Sequence, residues 1–131
     1  MKYAKLIPFI AMLLGSIIVT LIPWFARFTW IRIGAHTIRF DYIFHFVANG
    51  ILILYFFWYI SRKITLKLFL LLTFIGVSFS FLIELIQLTI PYRDFSYKDF
   101  ICSSFGIMAG SFTFWIYQQL SPQLLLKNRS K

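Results

Sequence analysis

The chain has 131 residues, 60% of them hydrophobic, 21% aromatic and only 13% charged, with a net charge of +9. A water-soluble domain is roughly 45–50% apolar and about 25% charged, so this composition excludes a soluble enzyme. The basic residues sit in short clusters between long apolar runs, as in membrane proteins and unlike a nucleic-acid binder, and the length suits one transmembrane domain over residues 1–131. Cys102 is the single cysteine, so no internal disulfide forms.

Four segments are long and apolar enough to cross a bilayer core, which takes roughly 20 helical residues. The first, Leu6 to Phe25, is uncharged; Lys2 and Lys5 precede it as in a signal peptide, but it outruns a usual h-region and no small-x-small site follows, so it reads as a retained span. The second, about Tyr42 to Ser61, holds His45 as its one ionisable group. The third runs from Leu68 to Ile90 around Glu84, and the fourth from Phe100 to about Leu120, before Pro122. Lipid offers no partner to a free backbone amide, so each must be a helix. The expected fold is an all-α integral membrane protein, a four-transmembrane-helix bundle.

The connection from Ala26 to Phe40 is the longest. Ile31-Arg32-Ile33 and Thr37-Ile38-Arg39 flank Gly34-Ala35, the pattern of a short hairpin or, equally, of an amphipathic surface segment. Eight Lys and Arg residues fall with the two termini and the second connection, five with the other two connections, which predicts cytoplasmic termini. Trp24, Trp30, Tyr92 and Tyr97 then mark the outer interface, and Trp58, Tyr59, Trp115 and Tyr117 the inner one.

Depth is the informative quantity. At about 1.5 Å per residue, Glu84 lies ~25 Å above Lys67, near the outer edge of the core, while His45 and Ser103 lie ~6 Å below Asp41 and Asp99. Three helices therefore place polar groups at one level. Phase agrees: Asp41, His45 and Asn49 form one stripe, Ser80, Glu84 and Gln87 another, and Asp99, Ser103, Gly106 and Gly110 a third. Such stripes are costly against lipid and should face each other in an outward pocket rimmed by Arg39 and Arg93. An acid inside a span is functional by default, which makes Glu84 the leading candidate. Asn49 fits an interhelical hydrogen bond, Gly106 and Gly110 close helix packing, and Asp99 a simple helix cap.

Asp41-Tyr-Ile-Phe-His45-Phe46, Glu84-Leu-Ile-Gln87, Arg93-Asp94-Phe95-Ser96-x-x-Asp99 and Gly106-x-x-x-Gly110 follow in that order. The ordered set resembles the VanZ-like family, small bacterial membrane proteins related to the teicoplanin-resistance protein VanZ, over residues 40–110. Tyr42 stands where the family often has Lys, and Ser103 where it often has Asn. The resemblance implies a multi-span protein of the bacterial inner membrane with an envelope role and, in some members, lowered sensitivity to lipid-tailed glycopeptides.

Three functions compete. The first is binding of a lipid head group, a peptidoglycan precursor or a lipoglycopeptide by Arg39, Asp41, His45, Glu84, Gln87, Arg93, Ser96, Asp99 and Ser103, the two arginines meeting phosphate or carboxylate. The second is an enzyme on a lipid-linked substrate with Glu84 or His45 as acid–base. A metal version would use Asp41, His45, Glu84 and Asp99, an oxygen-rich set suited to Mg²⁺ or Mn²⁺ more than Zn²⁺, but the sequence alone assigns no metal or cofactor. The third is a small assembly partner, a homo-oligomer included, whose polar shelf only sets helix register.

Overall fold

The computed structural model describes residues 6–21, 30–33, 36–60, 64–91 and 94–129, with backbone alone for 30–38, 122–129 and a few positions of the first helix. In chain order they form α1 (Leu6–Leu21), β1 (Trp30–Ile33), β2 (His36–Arg39), α2 (Phe40–Ile60), α3 (Leu66–Gln87) and α4 (Tyr97–Arg129). Three helices are long and apolar enough to cross a membrane: α2, α3 and the Tyr97–Ser121 part of α4. They fit a multi-pass membrane protein. Helix α1 covers 16 residues, short of the roughly 20 a span takes; the expected first span continues to Phe25, outside the described residues.

The two strands pair antiparallel, Trp30 opposite Arg39 and Ile33 opposite His36. Strand β2 runs straight into α2, which places Arg39 at the mouth of the bundle. We call this the hairpin end.

Helix boundaries follow from local chemistry. Thr65 opens α3 as its N-cap, the hydroxyl accepting from the Leu68 amide. Helix α3 closes at Gln87, short of the Ile90 expected from hydropathy. There the amides of Leu88, Thr89 and Ile90 turn to the carbonyls of Leu85, Ile86 and Gln87 at 3.0–3.1 Å, and Pro91, which has no amide to donate, follows. Helix α4 starts at Tyr97, earlier than the expected Phe100, because Ser96 Oγ accepts from the Asp99 amide at 3.3 Å and caps the first turn. It also runs through Pro122 to Arg129 instead of stopping near Leu120. A proline has helical φ and removes one i→i−4 bond, which is not enough to end this helix.

Helices α2 and α4 touch backbone to backbone. A Cβ on Gly106 would collide with the Phe46 carbonyl, one on Gly110 with the Gly50 carbonyl, and one on Gly50 would lie 3.1 Å from Gly106 O. The glycine pair at 106 and 110 thus packs within the chain. Gly110→Ala should force the helices apart and cost about 1–3 kcal/mol, as overpacking does, read as a lower unfolding midpoint in detergent.

Below the glycines the contact fills with aromatic bulk. Phe57, fully buried, stacks on Phe114 at 5.1 Å and on Phe69 at 5.9 Å, and Phe69 meets Trp115 at 4.9 Å. At the far end Gln118 on α4 clamps the α2–α3 connection: Oε1 accepts from Ile64 N–H at 2.9 Å and Nε2 donates to Ile64 O at 3.1 Å. Helix α1 leans on α2, with Phe9 against Tyr55, Phe56 and Tyr59.

Candidate functional site

Among the described residues, the buried polar side chains other than Ser111 gather at the hairpin end. Asp41 and His45 on α2, Ser80, Glu84 and Gln87 on α3, and Asp99 and Ser103 on α4 are all buried, Glu84 at 1% exposure and Gln87 at 0%. Ser96, just before α4, is half-buried. Three helices remote in sequence meet at one depth.

Helices α2 and α4 are joined by a short relay. Ser103 Oγ and His45 Nδ1 share a hydrogen bond at 3.2 Å, and Asn49 Nδ2 donates to Ser103 Oγ at 3.1 Å and to His45 O at 2.9 Å. Asn49, which by sequence looked like a packing residue, therefore also orients the site. Helices α3 and α4 are joined through Glu84. Its Oε1 accepts from Gln87 Nε2 and its Oε2 from the Ser96 amide, both at 3.4 Å.

This second bond changes the role of Asp99. Ser96-x-x-Asp99 has capping-box spacing, in which the carboxylate three residues on reaches back to the cap amide. Here that amide donates to Glu84. Asp99 is 3% exposed, and its Oδ1 accepts from no donor among the described residues.

Asp41 is taken elsewhere. Its Oδ2 pairs with Arg39 Nη2 and its Oδ1 accepts from the Tyr42 amide at 3.0 Å. The Arg39 guanidinium lies 4.8 Å over the Tyr42 ring and donates to the Tyr42 hydroxyl at 3.3 Å. Burial alone lowers the pKa of Arg39, but the hydrogen bond and charge of Asp41 outweigh it and the net direction is up. A raised pKa in a base preserves its stabilising charge until pH passes the folded value, so Arg39 stays cationic throughout the usable range. Arg39 does border the site, with its charge already met. Arg93 lies outside the described residues.

Two adjacent spaces complete the site. A cavity of about 30 Å³ touches His45, Asn49, Ser80, Glu84 and Ser103. Toward the other end lies an apolar cleft of about 240 Å³ between α1, α2 and α3, which shares Leu13, Asn49, Leu52 and Phe79 with it. Ile75 and Phe79 on the α3 lip are exposed, so the cleft is reached from the side of the bundle. Its apolar lining has no period that separates it from ordinary lipid-facing residues, which is why sequence alone did not find it. The whole arrangement can exchange protons, bind a cation, or hydrogen-bond one small polar group.

The order of these residues along the chain is that of a known family, and the model of the VanZ/LLP1 family matches residues 4–118. The chain belongs to the VanZ/LLP1 family. No curated protein and no solved structure matches it. The match takes in the hairpin and every polar residue described above. Where VanZ-like sequences often carry Lys, Tyr42 here carries the guanidinium of Arg39. Where they often carry Asn, Ser103 is shorter, and Asn49 brings an amide to it from α2.

Proposed function

We propose that this VanZ-like protein is a bacterial envelope protein that holds a lipid-type amphiphile, its hydrocarbon chain in the side cleft and its polar group at the hairpin end. The observation that carries this is the adjacency of the two spaces, which share Leu13, Asn49, Leu52 and Phe79. An apolar cleft entered from the side borders a small cavity lined by one buried carboxylate, Glu84, and the His45 imidazole. Sites that enclose whole small molecules measure about 300–1,000 Å³, so a cleft of about 240 Å³ suits a slender chain.

The polar end has room for about 30 Å³, and one water needs about 10–15 Å³. A sugar or peptide stays outside, and only a group about two or three waters in size reaches Glu84 and His45. A membrane lipid, a lipid-linked wall precursor and a lipoglycopeptide of the teicoplanin type all meet that description. Because Asp41 already balances Arg39, the cation that would meet a phosphate or carboxylate is assigned to Arg93. With four spans and cytoplasmic termini, the hairpin end faces the outer leaflet, where such molecules reside.

Lipid-extract capture followed by mass spectrometry tests the proposal. Wild-type protein purified in detergent should retain one lipid class, and Glu84→Gln should retain at least about tenfold less of it, a loss on the scale of one charged hydrogen bond. Equal retention by both proteins would remove Glu84 from recognition. A second variant, Gly76→Leu in the floor of the cleft, should lower retention without touching the polar cluster.

A further inference from the structure

His45, Glu84 and Asp99 come from three different helices, and each brings one ligand atom to within 4.8 Å of the others. All three are buried, at 5%, 1% and 3% exposure. Two of them are carboxylates. Side by side in a low-dielectric interior they repel, and positive charge at the point between them relieves that repulsion.

Asp99 is the second and independent observation. Its Oδ1 is shut off from solvent and accepts from no donor among the described residues. The amide that a carboxylate at this position would normally take, that of Ser96, donates to Glu84. Asp41, the fourth acid or imidazole of the sequence-derived set, is held by Arg39 and the Tyr42 amide.

We infer that His45, Glu84 and Asp99 bind one divalent cation of the Mn²⁺ or Zn²⁺ type. One imidazole nitrogen and two carboxylate oxygens match the ligand preferences of these ions. Tetrahedral bonds of about 2.1 Å put two ligand atoms roughly 3.4 Å apart, so atoms that lie within 4.8 Å of one another close by at most about 1.4 Å on binding. The divalent charge cancels that of the two carboxylates. The groups behind the ligands are already in place. Ser103 at Nδ1 sets the rotation of the imidazole, while Gln87 and the Ser96 amide hold the two oxygens of Glu84. The cavity beside His45 and Glu84 takes a water-sized fourth ligand, as at metal sites with an open position.

The test needs only the full chain in detergent and the metal itself. After chelation and removal of the chelator, Mn²⁺ is titrated in and free Mn²⁺ is followed by electron paramagnetic resonance, with Zn²⁺ as competitor. We expect one Mn²⁺ per chain, displaced by Zn²⁺, with affinity lowered at least about tenfold in Asp99→Asn and in His45→Gln. Asp94→Asn, an exposed acid in the α3–α4 connection, should bind as wild type does. Direct Zn²⁺ stoichiometry of one per chain, lost in Asp99→Asn, carries the same conclusion. No saturable binding of either ion up to about 1 mM, or equal affinity in wild type and Asp99→Asn, overturns the inference. The wild-type titration decides even where a variant fails to fold, and since it reads free Mn²⁺ and not bound lipid its outcome is separate from that of the lipid-capture experiment.

Discussion

Glu84→Ala is expected to destabilise the hairpin end by about 3–5 kcal/mol, through two costs that add. One is a cavity where a side chain of 1% exposure had been. The other is the loss of the Glu84 acceptor by two donors: Gln87 Nε2, on a residue with no exposed surface, and the Ser96 amide. The amide matters more. It lies at the start of α4, so its loss loosens the turn that positions Asp99 and joins α3 to α4. Glu84→Gln keeps the shape but turns a donor toward one of these donors, and should cost only about 1–2 kcal/mol. Denaturant unfolding in detergent would rank the two variants. An alanine variant as stable as wild type would mean that these bonds at 3.4 Å contribute nothing and that Glu84 is held for function alone.

The Arg39–Asp41 pair should respond unequally to loss of either partner. Arg39 is 23% exposed and Asp41 6%. When Asp41 is changed to Asn, the guanidinium keeps the Tyr42 ring and hydroxyl and can extend its charged head toward water, so a cost of about 1 kcal/mol is expected. When Arg39 is changed to Ala, the carboxylate at the top of α2 cannot follow. It keeps one amide bond in a buried setting, and about 2–4 kcal/mol should be lost. The double variant should recover most of that loss, since no uncompensated charge then remains. A double-variant cycle by thermal unfolding measures this coupling directly. Equal costs for the two single changes would show that the pair is solvated as a surface bridge is.

Much of the site was legible before any coordinates because helix rise is a constant of the backbone. Counting residues from Lys67, Asp41 and Asp99 places Glu84, His45 and Ser103 at one level, and the hydrogen bonds from Ser103 to His45 and from Ser96 to Glu84 join those levels. The helical stripes held for the same reason. The pairings were not legible. Nothing in the spacing tells that Asp41 turns back two residues to Arg39, that Asn49 reaches α4, or that the Ser96 amide prefers Glu84 to Asp99. Each choice depends on a few tenths of an ångström between side chains on different elements. Helix ends were misplaced by a turn or less at Ser96 and Pro91, where a cap or a proline overrode hydropathy, and by more than two turns at the end of α4, which runs through Pro122 to Arg129.

By itself, then, the amino-acid sequence determined that several helices cross a bilayer, where their polar groups lie along them, and which family the chain resembles. Hydropathy, rise per residue and motif order are all properties of a single segment. Only the tertiary structure decided how each helix is rotated and what it touches. In lipid the rest of each span is apolar, so outside the polar stripes hydrophobicity does not distinguish the packed side from the exposed one. The contact of Gly106 and Gly110 with the backbone of α2 makes that choice for α2 and α4, and α3 brings Glu84 within reach of His45 and Asp99.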